Sequence, residues 1–252
     1  MTAGEAGSGE RSRLGHPRLH LRRVDSTNER ARALAIAGAP HGTLVSAAEQ
    51  TAGRGRQGRS WVAPAGSALL CSLIVRDPPP LLSLIAGVAV CDMAGEGALL
   101  KWPNDVVLVD SQPSTDAPTI GEHLGLRKLA GILVEGRPQD AWAVLGIGLN
   151  VAVRVEQLPA EVRPRAATLG LPVSAIEATL EQLLLALGER LAEPVEHMLE
   201  AWRTRDALHG HQVSWEGGQG RARGIDERGR LLVALADDSL TALDAGEVHL
   251  AI

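Results

Sequence analysis

Hydrophobic and polar positions alternate along Leu19 to Val24 in the manner of a short strand, after a polar stretch over residues 1–15 that reads as a mobile tail. Asp25-Ser26-Thr27-Asn28-Glu29 follows. Ser26 with Glu29 three positions on fits a capping box, with a helix continuing over Ala31 to Ala37. Thr43 to Ala48 and Ala68 to Val75 read as buried strands. Between them, Gln50 to Trp61 carries too much glycine and charge for either regular element and is a loop. Leu81 to Gly97, behind the prolines at 78–80, has the length and uniform apolarity of a buried helix. Two apolar strands are expected over Leu99 to Val109 and Leu129 to Glu135, separated by an exposed insertion at about 110–125 rich in Ser, Pro, Thr, Asp and Gly. Trp142 to Val153 gives another strand, and residues 174–190 and 195–206 an amphipathic helical pair, with Pro194 opening its second member. From His211 onward the pattern becomes short alternating strands with Gly-rich turns, a small β-barrel-like domain. The expected organisation is a tail (1–15), a main domain (16–207) and a small C-terminal domain (208–252).

Composition narrows the class. At 252 residues, 45% hydrophobic and 22% charged, with a net charge of −5, the chain suits a globular protein rather than a disordered one. No apolar run approaches the roughly 20 residues that span a bilayer, and the first residues lack the apolar segment of a secretory signal. A cytoplasmic protein is expected, and Cys71 and Cys91, each in an apolar stretch, read as buried thiols. The chain has neither Phe nor Tyr. Lys occurs only at 101 and 128, and Asn only at 28, 104 and 150. All five lie in the short motifs below, as expected if a GC-rich coding bias has removed these residues wherever a substitute serves.

Four segments carry chemistry. In the loop, Gly53, Gly55 and Gly58 permit close backbone approach while Arg54, Arg56 and Arg59 supply forked donors, an arrangement suited to clamping an anion. The same residues also fit a solvated basic loop or an RNA-contacting segment, although the acidic chain lacks the broad positive surface of a nucleic-acid binder. Lys101-Trp102-Pro103-Asn104-Asp105 places an ammonium and a carboxylate around an Asn in an apolar stretch. Asp105 there is either a ligand for a hard cation such as Mg²⁺ or half of a strand-end ion pair. Lys128 opens a strand that will be buried, where an ammonium can sit between a carboxylate and a phosphate, and Gly131 lets backbone pass close to a bound ring. Asn150 ends a glycine-bearing strand, as a purine contact or as a turn residue.

Together Asp25-Ser26-Thr27-Asn28, the GRGRQGRSW run to Trp61, KWPND at 101–105, KLAGIL at 128–133 and GIGLN at 146–150 resemble the biotin–protein ligases over about residues 17 to 252. The resemblance implies an α+β fold: a mixed central sheet flanked by helices, like the class II aminoacyl-tRNA synthetases, with a small C-terminal SH3-like barrel. It implies a two-step reaction in which biotin and ATP give biotinyl-5′-AMP and an acceptor lysine of a carboxylase carrier domain then displaces AMP. By the same resemblance Ser26, Thr27, Asn28, Gln50, Gly53, Arg54, Gly55, Arg56, Lys128, Gly131 and Ile132 bind biotin. Arg54, Arg56, Arg59, Trp61, Lys101 and Asn150 serve ATP and the adenylate, with Trp61 shielding adenine. Lys128, Arg56 and Asp105 carry the catalysis, and Asn104 with Asp105 hold Mg²⁺.

Two departures stand out. The insertion at about 110–125 replaces the short turn that commonly joins KWPND to KLAGIL. About 25 residues precede Ser26, too few for the DNA-binding winged helix of bifunctional members, so no sequence-specific DNA binding is expected. Some relatives dimerise through the central sheet, and nothing in the sequence decides whether this chain does. Three glycines and little apolar content predict that the loop at 53–61 is mobile without biotin, with few contacts to hold it. The readings to be separated from biotin ligation are a lipoate or other acyl ligase on the same scaffold and a non-catalytic nucleic-acid binder.

Overall fold

The computed structural model describes residues 14–109, 125–136, 140–244, 246 and 248–250. Residues 1–13 of the expected tail and 110–124 of the expected insertion lie outside the described residues, while Leu14 packs on the core and Gly15 N donates to the Gly42 carbonyl (2.9 Å). The elements run β1 (Arg18–Leu21), α1 (Thr27–Ile36), β2 (Leu44–Ala47), β3 (Ala68–Arg76), α2 (Leu82–Ala94), β4 (Ala98–Lys101), β5 (Asp105–Val109), β6 (Leu126–Gly136), β7 (Trp142–Asn150), α3 (Ile176–Ala192), α4 (Val195–Arg203) and five further strands. These last are β8 (Gln212–Trp215), β9 (Gly218–Ile225), β10 (Leu231–Ala234), β11 (Leu240–Leu243) and β12 (His249–Leu250).

Seven strands form one mixed sheet in the order β1-β2-β3-β7-β6-β5-β4, with β1 and β2 parallel and the remaining pairs antiparallel. The interior strand β3 (ALLCSLIVR), next to the central β7, is buried along almost its whole length, which is why it reads as continuous rather than alternating apolar sequence. Helix α2 is apolar all round because it lies between the sheet and the pair α3 and α4. Gly87 brings α2 close to the sheet: a Cβ there would stand 2.8 Å from Leu100 Cδ2. Asp92 of α2 ties this layer together through Arg190 (2.6 Å) and Arg205 (2.9 Å). Cys71 and Cys91 are free and buried, and burial pushes both thiols up to about 12.

β8 to β12 form a separate antiparallel sheet in the order β11-β10-β9-β8-β12, consistent with the small SH3-like domain. It is docked by direct contacts. Trp102 Nε1 donates to the Gly229 carbonyl (2.9 Å) and the Arg203 guanidinium to the Ile225 carbonyl (3.1 and 3.2 Å), and one hydrophobic core runs through both sheets.

Three features of the molecule differ from the sequence expectation. Ser26 is the N-cap of α1, but its hydroxyl makes no capping hydrogen bond, and Glu29 closes no capping box: its carboxylate faces Arg54 (2.8 Å) and Arg32 (3.9 Å). The expected strand from Leu99 to Val109 is a hairpin, β4 and β5, turning over Trp102-Pro103-Asn104. An apolar run does not reveal a turn whose Trp is itself buried. The helix expected to reach Gly97 stops at Ala94, where Gly95 takes a left-handed φ of 85°.

Candidate active site

The site lies at the junction of α1, the 50–61 loop, the β4–β5 hairpin and the middle of β6 and β7. Its floor is made of glycines. Gly131 of β6 pairs with Gly148 of β7, and Gly146 pairs with Leu133. A Cβ on Gly146 would come within 2.1 Å of Asn28 Oδ1, and one on Gly148 within 2.6 Å of Trp61 Cε2, so polar and aromatic side chains lie directly on the sheet.

One end is a polar network. Thr27 donates to Gln50 Oε1 through its backbone N (2.7 Å) and its hydroxyl (3.0 Å), which fixes the Gln50 amide. Ser72 Oγ lies 2.6 Å from Asn28 Oδ1 and 2.8 Å from Thr27 Oγ1. Asn28 Nδ2 donates to Glu135 Oε2 (2.8 Å) and to the Leu133 carbonyl (3.3 Å). Ser26, Thr27 and Asn28 are all buried. Both oxygen and nitrogen of Asn28 are therefore engaged by protein, whereas Gln50 has its oxygen spoken for and its amide N–H groups to offer a ligand.

The other end is charged. Lys128 Nζ stands 2.6 Å from Asp105 Oδ1 and 5.7 Å from the centre of the Trp61 ring. Arg56 Nη1 donates to Asn104 Oδ1 (3.2 Å), while Asn104 Nδ2 donates to the Ile132 carbonyl (2.9 Å). Burial lowers the pKa of Arg56, with Asp105 acting in the opposite sense. Burial likewise lowers that of Lys101; Asp105 partly restores it, and Lys128, Arg165 and Arg59 depress it further. At this end the Asp105 carboxylate thus faces Arg56, Lys101 and Lys128, a concentration of positive charge that an anionic substrate would neutralise.

The loop is better held than its composition suggests. Gly53 accepts from Trp61 N (2.9 Å) and Gly55 donates to the Arg59 carbonyl (2.7 Å), making a tight hairpin. A Cβ on Gly53 would stand 2.4 Å from the Trp61 carbonyl oxygen, which explains the glycine. Arg54 bridges Glu29 (2.8 Å) and Glu135 (3.0 Å). The expectation of few contacts is therefore not met.

The structure brings together Ser26, Thr27, Asn28, Gln50, Arg54, Trp61, Gly131 and Gly148 around one small cavity, and Arg56, Asn104, Asp105 and Lys128 beside it. Two expectations change. Ile132 does not line the cavity: strand alternation turns it to the opposite face, its Cδ1 3.6 Å from where a Gly87 Cβ would be, and Leu133 lines the cavity in its place. Asn150 is buried and donates to the Ala167 carbonyl (2.8 Å), so its amide N–H is committed to the fold, while its Oδ1 has no hydrogen-bond partner among the described residues. Sequence reasoning missed Glu29, Ser72 and Glu135, whose roles depend on contacts across the sheet. It also missed Arg165 and His249, which share the electrostatic field of Lys101 and Arg59. Nothing local in the sequence points to Arg165, which is brought to the site by the bridge between its neighbour Ala166 and Lys128. An open groove of about 850 Å³ between 62–67 and 152–159 is lined by none of the sequence-predicted residues.

A mixed sheet with a glycine floor, a polar recognition end and a cationic end around one carboxylate, followed by a docked antiparallel sheet, defines a ligase-type activating enzyme. The family description "Biotin/lipoate A/B protein ligase family" matches residues 20–151 and "Biotin protein ligase C terminal domain" matches 216–250. The chain belongs to that family, among its biotin protein ligases. It is 35% identical to the biotin--[acetyl-CoA-carboxylase] ligase of Mycobacterium tuberculosis, over 89% of this chain and 86% of that one. It is 31% identical to the bifunctional ligase/repressor BirA of Bacillus spizizenii, over 83% of this chain and 67% of that one. The biotin protein ligase of Aquifex aeolicus, solved in complex with biotin and ATP, superposes with a TM-score of 0.73 at 27% identity, covering 92% of this chain and 97% of that one. No described helix is long and apolar enough to cross a membrane.

Proposed function

We propose that this chain joins biotin to ATP as biotinyl-5′-AMP and passes the biotinyl group to a lysine of a carboxylase carrier domain. The observation that carries this reading is the position of Lys128, paired with Asp105 at one end of a glycine-floored cavity whose other end is the Thr27–Gln50 hydrogen-bonding pair. Biotin's ureido group suits the Gln50 end, because its carbonyl accepts and its N–H groups donate. Its carboxylate then reaches the Lys128 end.

In the first step a carboxylate oxygen attacks the α-phosphorus. The new P–O bond forms as the bond to the β-phosphate bridging oxygen breaks, and pyrophosphate leaves. Two anions must meet, so the protein's task is orientation and charge neutralisation. Lys128 neutralises the reacting oxygens, and Arg56, fixed on Asn104, presents its remaining N–H groups to the phosphates. Arg59, Lys101 and Arg165 continue the positive edge for the departing pyrophosphate. In the second step the acceptor amine attacks the carbonyl carbon of the mixed anhydride, the bond from that carbon to the phosphate oxygen breaks, and AMP leaves. Asp105, whose carboxylate lies beside Lys128, takes the amine's proton.

Magnesium fits in a limited way. Asp105 supplies one carboxylate, already beside an ammonium, Asn104 Oδ1 accepts from Arg56, and no cluster of three or more His, Cys, Asp or Glu exists among the described residues. A Mg²⁺ held by one carboxylate with phosphates and waters completing its shell is ordinary chemistry. The ion would enter with the triphosphate, Asp105 its protein anchor, and would add charge neutralisation there.

Labelled biotin offered with ATP and a carrier domain tests the reading. Label on the carrier lysine, lost when ATP is omitted, is expected. Adenylate formation from lipoate but not from biotin overturns it.

A further inference from the structure

At the polar end of the site four side-chain oxygens stand in a row, each within hydrogen-bond distance of the next: Asn28 Oδ1, Ser72 Oγ (2.6 Å), Thr27 Oγ1 (2.8 Å) and Gln50 Oε1 (3.0 Å). Each of these three contacts needs a proton, and neither amide can supply one by turning over. Asn28 Nδ2 faces the Glu135 carboxylate (2.8 Å) and the Leu133 carbonyl (3.3 Å), which only accept, so the nitrogen belongs there and the oxygen towards Ser72. Gln50 Oε1 receives the Thr27 backbone N–H (2.7 Å), which fixes that amide in the same way. Only the two hydroxyls remain, with one proton each. Ser72 gives its proton to Asn28, whose oxygen has none. Thr27 is then left with one proton for two neighbours, Ser72 and Gln50. The row is one proton short. Ser72 is fully buried, whereas Thr27 and Gln50 both line the cavity, so the missing proton has to come from the cavity side.

We propose that Glu135 is a positioning residue for ring recognition: acting through Asn28 and Ser72, it keeps the row one proton short, so that the site selects a ring that brings an N–H of its own. This rests on the reading of this end as the place of biotin's ureido group. The origin of the shortage is the carboxylate. Glu135, paired with Arg54 at 3.0 Å, has no proton to offer Asn28 and therefore sets the direction of every donor down the row. A ligand N–H placed between Thr27 Oγ1 and the second lone pair of Gln50 Oε1 completes it, with the Thr27 proton settled on Ser72. The neighbouring ureido carbonyl then takes an N–H of the Gln50 amide, so one edge of the ring both gives and receives. A dithiolane ring, which carries no N–H, leaves two buried lone pairs facing each other, and that is a cost rather than a missing gain.

Calorimetric titration without ATP tests the idea, using biotin and its two cyclic carbamate analogues, in each of which one ureido N–H is replaced by a ring oxygen. Wild type is expected to bind one of the two isomers about a hundredfold more weakly than biotin. In E135Q the new side-chain amide donates to Asn28 Oδ1, Asn28 turns over to donate to Ser72, and the two hydroxyl protons fill the other two contacts. Biotin should then bind more weakly than to wild type, and its advantage over the same isomer should shrink to about tenfold or less. S72A reaches the same end by another route, since one proton then serves the one remaining contact between Thr27 and Gln50. It leaves the Arg54–Glu135 ion pair intact, and it decides the matter if E135Q does not fold. A merely structural role for Glu135 would weaken biotin and analogue alike and leave their ratio unchanged. If wild type binds biotin but discriminates against neither isomer, or the ratio is unchanged in a folded variant, the proton shortage is wrong and the biotin reading stands. If wild type does not bind biotin at all, both fall.

Discussion

The ammonium of Lys128 stands 2.6 Å from the Asp105 carboxylate, while the carbonyl of the same lysine accepts the Ala167 amide at 2.8 Å. Backbone and side chain thus have separate duties. The carbonyl stitches β6 to the segment after the Arg163–Arg165 turn, and the ammonium, 38% exposed, faces the site.

That division allows Lys128 to be removed without loss of the fold. K128A is expected to lower biotin-dependent ATP–pyrophosphate exchange by about 10²- to 10³-fold, as for loss of one transition-state donor, with an unfolding temperature close to wild type. K128R should not restore activity, because a planar fork cannot replace a point charge between two oxygens. Exchange near the wild-type rate in K128A would remove Lys128 from the reacting atoms.

Gly146 predicts a stability effect at the polar end. An alanine there would place its Cβ 2.1 Å from Asn28 Oδ1, and Asn28 has no room to yield, since Ser72, Glu135 and the Leu133 carbonyl hold it. G146A is expected to cost about 1–3 kcal/mol, the usual range for overpacking, read as a lower urea midpoint. An unchanged midpoint would mean that the network relaxes freely.

The strands and helices were legible because their apolar periods are long: β3 falls where the pattern puts it, and α2 and β7 lie where expected but each ends three residues early. What failed was local. The turn at Trp102–Asn104 hides in an apolar run because Trp102 is buried under the second sheet and bonded to Gly229. Ser26 and Glu29 have the spacing of a capping box, yet Glu29 is drawn to Arg54, a partner 25 residues away. Motif residues such as Arg56, Asn104 and Lys128 were visible as scarce types in short runs. Glu135 and Ser72 are ordinary residue types whose importance arises only when β6 and β3, on either side of β7, both reach Asn28.

His249 gives the site a pH dependence. It belongs to β12 of the second sheet, and its pKa is lowered by burial first and then by Lys101, Arg59 and Arg165. A bound triphosphate would offset those three cations and raise the His249 pKa, so ATP binding should take up a proton there and strengthen as pH falls from 8 to 6. Because ATP itself titrates in this range, the comparison is with H249A. The wild-type KM for ATP should fall more steeply than the variant's, with the KM for biotin indifferent to the substitution. Parallel pH profiles would place His249 outside the nucleotide's field.

Asp206 predicts how the junction between the two sheets responds to charge. It sits beside Leu100 in a parallel bridge, with Oδ1 accepting from Leu208 N (2.8 Å) and Oδ2 buried without a hydrogen-bond partner among the described residues. Burial raises its pKa, and the Leu208 amide and the nearby His209 and His211 pull it back only in part. A carboxyl whose folded pKa is raised favours the folded state most when protonated. Its contribution is complete below the unfolded value of about 3.9 and is lost as pH rises through the folded value. At pH 7 the buried charge is therefore a net cost. D206N keeps an oxygen for Leu208 and removes that charge, so it should unfold at higher urea than wild type at pH 7, with the advantage shrinking as pH is lowered toward 4. A variant less stable than wild type at pH 7 would show that attraction to the two histidines outweighs the burial of the carboxylate.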